Sequence, residues 1–164
     1  MLPRMSTNNT IRLIGRSLLI LLCLIGLSCS KKAPRYQENH ARFQRIVEAI
    51  NTLETADVNK NLPVIHELLL PLDPLIRWEA AVQQDFATFS EITLDLNINR
   101  IVIDESQISA FITWQGTWKR TSDGPPIASR GHGTLLWSGN QVILLRGVEG
   151  DLPFGISTQP NLPS

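Results

Sequence analysis

The 164-residue chain is predicted to fold as an α+β domain, with N-terminal helices packed on one face of a curved antiparallel sheet. Two observations support this fold class. Apolar residues recur at helical spacing up to Ser90, and beyond Ser90 the pattern changes to alternation between apolar and polar residues. Helices that precede a meander of strands are typical of α+β folds, in which the helices lie together on one face of the sheet.

Three helices are predicted before Ser90. The first extends over about 36–56, and the short second helix has Asn61 as its N-cap and stops at Pro71. Asp73 is predicted to cap the third helix, because Pro74 suits a first helical turn. The residues expected to face the core are Phe43, Ile46, Val47, Ile50, Leu53, Ile65, Leu68, Leu69, Leu75, Trp78, Val82, Phe86 and Phe89.

Four strands are predicted after Ser90. The first alternates cleanly from Ile92 to Ile98 and then changes phase, so a β-bulge is expected at Asn99-Arg100. A tight turn at Ser138-Gly139-Asn140 should join the last two strands. The later strands are expected over about 108–118, 129–137 and 141–148. The Pro-rich tail from Pro153 is expected to fray, with 156–164 disordered.

This order of elements resembles the cone-shaped superfamily of nuclear transport factor two and ketosteroid isomerase, often called SnoaL-like. The resemblance covers roughly 37–155 and includes the bulged strand and the ending Gly147-Val148-Glu149-Gly150-Asp151-Leu152-Pro153-Phe154-Gly155. It implies a cone with room for a pocket between sheet and helices, and it carries no catalytic motif. In cone-fold enzymes, such a pocket uses histidine and aspartate as acid and base.

The expected turn places Trp137 opposite Gln141 and therefore His132 opposite Arg146. Arg130 shares that face, and Glu149 and Asp151 follow shortly after. One interpretation is a catalytic site in which His132 is the base and an arginine polarises a carbonyl group. The other is a polar outer face with weak cross-strand pairs. The weak catalytic candidates are His132, Arg130, Arg146 and Asp151.

The same register places Gly131 opposite Gly147, which leaves little side-chain bulk on that face. Because glycine weakens a strand unless something approaches closely, we expect Trp78 and Phe86 of the third helix to pack there. The strand tryptophans are interpreted as core residues, with a ligand cavity as the alternative. They are Trp114, Trp118 and Trp137.

The N-terminus indicates export. Arg4, Arg12 and Arg16 precede an apolar run from Leu18 to Leu27, which is too short for the roughly 20 residues that a membrane-spanning helix needs. The segment Leu24-Ile25-Gly26-Leu27-Ser28-Cys29 resembles a bacterial lipoprotein signal, in which the cysteine thiol receives a diacylglyceryl group and becomes the first residue. Residues 1–28 are then a signal peptide and 29–36 a tether. An ordinary secreted protein cut nearby is the alternative.

Two acyl chains suffice for stable anchoring. By the same resemblance, Ser30 favours the outer membrane, with the protein facing the periplasm.

The mature chain would have 136 residues with 12 Lys and Arg against 15 Asp and Glu, which disfavours nucleic acid as a partner. Cys23 would leave with the signal, Cys29 would be acylated, and the histidines lack paired spacing. No metal or cofactor is therefore expected.

The sequence thus predicts a lipid-anchored envelope protein that acts as a binding module, with no catalysis evident. Its partner would be another envelope protein or a small apolar ligand. A cone-fold isomerase, dehydratase or hydrolase using His132 is the first alternative. A homodimer formed through the sheet is the second.

Overall fold

The structure is a computed structural model that describes residues 35–159, with side chains from Glu38 onward. The expected signal peptide, the acylated Cys29 and residues 160–164 lie outside the described residues. Within 35–159, no helix combines the length and the apolar character that a bilayer crossing requires.

Three helices precede the sheet, as predicted. They are α1 (Arg35–Val58), α2 (Leu62–Glu67) and α3 (Asp73–Thr88). Asn61 caps α2, since its side chain accepts a hydrogen bond from the backbone N–H of Val64 at 3.4 Å. The predicted cap of α3 is wrong. Leu72 is the N-cap and Asp73 is already helical, so its carboxylate acts only through its position near the positive end of the helix.

Four antiparallel strands follow in the order β1-β2-β3-β4. They are β1 (Glu91–Asp104), β2 (Gln107–Lys119), β3 (Ile127–Ser138) and β4 (Leu144–Gly150). The predicted bulge in β1 is confirmed, because the pairing steps from Ile98 opposite Ile112 to Arg100 opposite Phe111 and leaves out Asn99.

The core lies between the helices and the inner face of the sheet. Every second residue of β2 from Ile108 to Trp118 is buried, in agreement with the predicted alternation. The residues without measurable exposure are Ile46, Ile50, Leu53, Ile65, Val82, Ala110, Trp118, Leu135, Trp137 and Leu145. They come from all three helices and from β2, β3 and the edge strand β4, so one core unites the described elements.

The segment after α2 covers the edge of β4. The N–H of Leu70 donates to the carbonyl of Leu145 at 2.8 Å, and the N–H of Leu145 donates to the carbonyl of Leu68 at 2.7 Å. Leu68 and Leu69 were expected on the helix but lie beyond its end, where they form a single parallel bridge. This bridge protects part of an otherwise open sheet edge.

The last two strands are joined by a longer loop than predicted. β4 begins at Leu144, and Trp137 pairs with Leu145 rather than with Gln141. The physical reason is that α1 binds this loop. Arg42 donates from Nε to the carbonyl of Gly139 at 3.0 Å, so that carbonyl is occupied by a side chain instead of a ladder partner. A second register shift follows, between Leu136 and Trp137.

Arg42 also fixes the β1–β2 turn. Its Nη1 donates to the carbonyl of Glu105, and the N–H of Gly139 donates to the carbonyl of Ser106 at 3.2 Å. The side chain is 7% exposed although it carries a charge. One arginine therefore joins the N-terminal half of α1 to two loops at the same end of the sheet.

The expectation that the tail frays from Pro153 is wrong up to Gln159. Pro153 to Ile156 are buried, and a 3-10 helix spans Ile156–Thr158. The carboxylate of Asp85 on α3 accepts hydrogen bonds from the N–H groups of Ile156 at 2.9 Å and Ser157 at 2.7 Å. A buried acceptor on a helix thus orders a segment whose composition alone indicates disorder.

Candidate functional site

His132 and Arg130 lie on the outer face of the sheet, away from the helices. Both are exposed, and they pair with Thr113 and Gln115 of β2. An open depression of about 430 Å³ runs between them. It is lined by the polar residues Asn97, Thr113, Gln115, Arg130 and His132, together with Trp114 and Gly131. We call this surface the outer polar face.

Three side chains of the outer polar face, Asn97, Thr113 and Gln115, hydrogen-bond to Asp95 or Asn99 of β1. Asp95 accepts from Gln115 Nε2 at 3.0 Å and from Asn97 Nδ2 at 3.2 Å, and Thr113 donates to Asn99 Oδ1 at 3.3 Å. Arg130 and His132 are exposed beside these bonded side chains. The face therefore presents hydrogen-bond donors and acceptors on an open surface.

The prediction that His132 lies opposite Arg146 is wrong. Arg146 lies at the register shift in β4, half-buried, and its Nη2 donates to Gln107 Oε1 at 3.3 Å. Gln107 pairs with Ser138, six residues along β3 from His132, which is a separation of about 20 Å in a strand. The longer β3–β4 loop moved β4 out of the expected register, and Arg146 moved with it.

The acidic candidates have different positions. The N–H of Asp151 donates to the carbonyl of His132 at 3.1 Å, so the two backbones are adjacent. Glu149 pairs with Thr134 on the next outward row of β3. Arg130 and His132 thus share a face and Asp151 borders it, while Arg146 is remote. The structure does not assemble the predicted cluster.

The space left by Gly131 is filled from within the sheet. A Cβ atom on Gly131 would lie 2.8 Å from Cζ2 of Trp114, the residue that pairs with it. Trp78, which we expected there, packs edge-on against Phe154 with ring centroids 5.1 Å apart. Gly147 is opposite Leu136, on the other face of the sheet. The predicted common glycine patch under α3 is therefore wrong.

The three strand tryptophans lie in the interior, which confirms their interpretation as core residues. Trp118 and Trp137 have no exposed surface, and Trp114 is 5% exposed. Trp114 meets Trp118 edge-on at 6.2 Å and donates its indole N–H to the carbonyl of Asp151 at 2.8 Å. Packed side chains thus occupy the inner face of the sheet. The alternative interpretation was a ligand cavity at this position.

Two buried acids were missed by sequence reasoning. Asp57 in the last turn of α1 and Asp85 on α3 are each 1% exposed. Burial, together with the charge of Asp85, raises the pKa of Asp57 to about 8. Asp57 Oδ2 has no hydrogen-bond partner in the described part of the chain. This carboxyl group is therefore protonated at neutral pH.

A signal for both acids exists in the sequence. Asp57 follows the core residue Leu53 by four positions, and Asp85 follows Val82 by three and precedes Phe89 by four. Those spacings place both carboxyl groups on the apolar faces of their helices. A search for charged residues in phase with an apolar stripe would have found them.

The described surface also has an open groove of about 560 Å³, which follows α1 and reaches α2. Its apolar lining consists of Phe43, Val47, Ala56 and Val64.

Among residues 35–159, no group of three or more His, Cys, Asp or Glu side chains is arranged to hold a metal ion.

No protein-family model matches the chain, and no curated protein matches its sequence. Solved structures do resemble it. A nuclear transport factor 2 (NTF2)-like superfamily protein from Salmonella enterica aligns with a TM-score of 0.60 at 16% identity, over 70% of this chain and 94% of that one. The Kfla4162 protein from Kribbella flavida aligns with a TM-score of 0.59 at 14% identity, over 68% and 90%.

A third structure, a proposed dehydratase of the NTF2-like family from Streptomyces avermitilis, has a TM-score of 0.58 at 10% identity, over 65% and 92% of the two chains. At such identities the likeness establishes the fold alone. The described domain has the NTF2-like cone fold, with helices on a curved four-stranded antiparallel sheet, and the predicted fold class is confirmed.

Proposed function

We propose that this chain is a lipid-anchored protein of the cell envelope whose cone domain binds another envelope protein and performs no catalysis. The observation that carries the binding role is the filled interior. Trp118, Trp137 and Leu135 have no exposed surface, so a substrate or an apolar ligand would have to displace core side chains. Binding through the outer surface requires no such rearrangement.

The anchor is supported by the N-terminal sequence. Three arginines, the ten-residue apolar run and Ser28-Cys29 have the arrangement of a lipoprotein signal. Cys29, as the first residue, would carry the acyl chains, and the rest of the mature chain, which has a net charge of −3, would remain in water beside the membrane. The described domain begins with α1 at Arg35, six residues after Cys29.

Metabolic labelling with an alkyne fatty acid tests the anchor. We expect the wild type and a Cys23→Ala control to incorporate the label, and Cys29→Ala to lose both the label and its place in the membrane fraction. Label retained by Cys29→Ala would contradict the proposal.

Site-specific photo-cross-linking in intact cells tests the binding role. A photoreactive residue replaces Thr113 on the outer polar face or Asn51 in the α1 groove, both of which are exposed. The matched control replaces Ser122 in the exposed β2–β3 turn. We expect one discrete adduct from Thr113 or Asn51 and none from Ser122. The absence of any adduct from both surfaces would argue against a protein partner.

One observation favours a second function, catalysis by Asp57. Its carboxyl group is buried, Oδ2 lacks a hydrogen-bond partner in the described residues, and the pKa is about 8, which suits a proton donor at neutral pH. His132 is less suitable, because it is exposed on the outer face. Loss of a measured turnover in a folded Asp57→Asn variant, with His132→Ala unaffected, would favour this alternative.

A further inference from the structure

Arg42 is a buried cation for which the described residues supply no anionic partner. Its side chain is 7% exposed, and no carboxylate in the described part of the chain forms a salt bridge with it. Nε and Nη1 donate to the carbonyls of Gly139 and Glu105, whereas no described residue accepts a hydrogen bond from Nη2. The two carbonyl groups satisfy part of the guanidinium group but leave its charge without a counterion.

The charges that act on Arg42 do not compensate for its burial. Burial, and then the like charge of Arg45 about one turn further along α1, lower the pKa of Arg42. The charge of Glu38, about one turn before Arg42, acts in the opposite direction and does not cancel the shift. Because buried charges in folded proteins are normally paired, this position has room for a negative charge that the described residues do not provide.

A small recess of about 50 Å³ lies beside Arg42, between the N-terminal half of α1 and the β3–β4 loop. Two arginines, one acid and three amide side chains line it, namely Arg42, Arg45, Glu38, Asn39, Asn140 and Gln141. The structure describes all six residues, and together they carry a net charge of +1. We call this site the Arg42 recess.

The other two acids of this end do not line the Arg42 recess. Asp104 ends β1 and Glu105 follows it in the turn, and both are exposed to solvent. Arg42 contacts Glu105 through the backbone carbonyl. Water and salt screen exposed carboxylates, so the two arginines and Glu38 dominate the electrostatics of the recess.

The size and the donors of the recess indicate which kind of group it accepts. One water needs about 10–15 Å³ of cavity, so about 50 Å³ admits a group of a few heavy atoms and excludes a larger organic molecule. Arginine is the preferred side chain for binding carboxylates and phosphates. Two arginines and three amides offer donors to more than the two oxygens of a carboxylate, which favours a tetrahedral oxyanion.

We propose that the Arg42 recess binds a phosphate group, either as the free anion or as the ester of a phospholipid head group. The phosphate oxygens accept hydrogen bonds from Arg42 Nη2 and from Arg45, and they supply the negative charge that Arg42 lacks. A water molecule would accept the same hydrogen bond without neutralising the charge. This inference is independent of the proposed lipid anchor.

A nuclear magnetic resonance titration of the isotope-labelled full-length chain, in a neutral detergent, tests the inference. The probe is inorganic phosphate, and sodium chloride of equal ionic strength is the control. We expect phosphate to give a saturable shift of the Arg42 Nε–H signal and of the backbone N–H signals of Gly139 and Asn140. Equal shifts with chloride, or phosphate shifts that do not saturate, would overturn the inference.

Variants in the lining locate the site. Arg42 is left unchanged, because it also holds two loops. Arg45→Met loses a single exposed hydrogen bond of 3.4 Å, so it should fold, and we expect its affinity for phosphate to fall about tenfold. Glu38→Gln removes the acid of the lining and should bind phosphate more tightly. Arg77→Gln, on the exposed side of α3, is the control and should bind as the wild type. Unchanged affinity in both Arg45→Met and Glu38→Gln would contradict the site.

Glycerol phosphate distinguishes the two sources of the phosphate group, because it carries the same group as an ester. A saturable shift of the Arg42 signal with either probe supports the inference. Tighter binding of inorganic phosphate identifies the free anion, and tighter binding of the ester identifies a lipid head group. No response of Arg42 to either probe overturns the proposal.

Discussion

Asp57 on α1 and Asp85 on α3 are two buried carboxyl groups on separate helices, and burial together with the charge of Asp85 raises the pKa of Asp57. Their partners differ. Asp85 accepts hydrogen bonds from Ile156 and Ser157, whereas Asp57 Oδ2 has no partner in the described residues. Asp57 therefore keeps its proton at neutral pH. The hydrogen bonds of Asp85 join α3 to the C-terminal segment.

The first prediction concerns the pH dependence of stability. The folded state raises the pKa of Asp57 from 3.8 to about 8 and so favours the neutral acid. The stabilisation is complete below pH 3.8 and is lost as the pH rises towards 8, by up to about 1.4 kcal/mol of unfolding free energy per pH unit. Urea unfolding between pH 4 and 9 should show this fall in the wild type, whereas Asp57→Asn should lack it.

Asp123→Asn, in an exposed turn, is the control and should behave as the wild type. If the difference in unfolding free energy between the wild type and Asp57→Asn were constant over this range, Asp57 would not be protonated in the folded state.

The second prediction concerns Asp85→Ala. The variant removes the acceptor of two backbone N–H groups and of the Ser157 hydroxyl, which lies 2.6 Å from Oδ1. Hydrogen bonds to a buried carboxylate contribute about 1.5–3 kcal/mol each, so we expect a loss of several kcal/mol in unfolding free energy. Hydrogen exchange should accelerate over 153–158. Gln84→Ala, on the exposed side of α3, should change neither quantity.

The third prediction concerns Arg42→Met, which keeps the length of the side chain and removes its donors. The carbonyl groups of Gly139 and Glu105 would lose their partner, at a cost of about 2–4 kcal/mol. Arg45→Met is the matched control, because Arg45 makes one exposed bond of 3.4 Å and should cost less than about 0.5 kcal/mol. Thermal denaturation of both variants measures the two losses of stability. Equal losses would show that the buried arginine does not hold the two loops in place.

The fourth prediction uses two glycines in strands. Gly131→Ala places a Cβ atom 2.8 Å from the ring of Trp114, which is itself packed in the core, so we expect a loss of about 1–3 kcal/mol. Gly147→Ala meets its nearest neighbour, Leu136, at 3.4 Å and should be close to neutral. Chemical denaturation of both variants gives the comparison. A neutral Gly131→Ala would mean that Trp114 does not rest on that glycine.

Local sequence patterns were sufficient to predict most of the helices and strands. Alternation from Ile92 onward and the change of phase at Asn99 determined β1 and its bulge, because one face of the strand must be buried. The N-cap at Asn61 followed from residue chemistry. These features depend on neighbours in sequence and could therefore be predicted.

Features that depend on contacts between residues distant in sequence could not be predicted. The register of β4 was misjudged because Arg42, 97 residues before Gly139, occupies that carbonyl. The order of the tail depends on Asp85, 71 residues before Ile156. The candidate cluster around His132 was inferred from the register and therefore shared its error. Helical spacing places Asp85 on an apolar face of α3, but it does not indicate which distant backbone groups the carboxylate binds.

The account depends most on the acylation of Cys29, and intact-mass spectrometry of the mature protein from membranes tests it most directly. We predict a polypeptide that begins at Cys29 and carries the additional mass of acyl chains on that residue. A chain that begins at Met1, or that begins elsewhere with an unmodified Cys29 thiol, would contradict it.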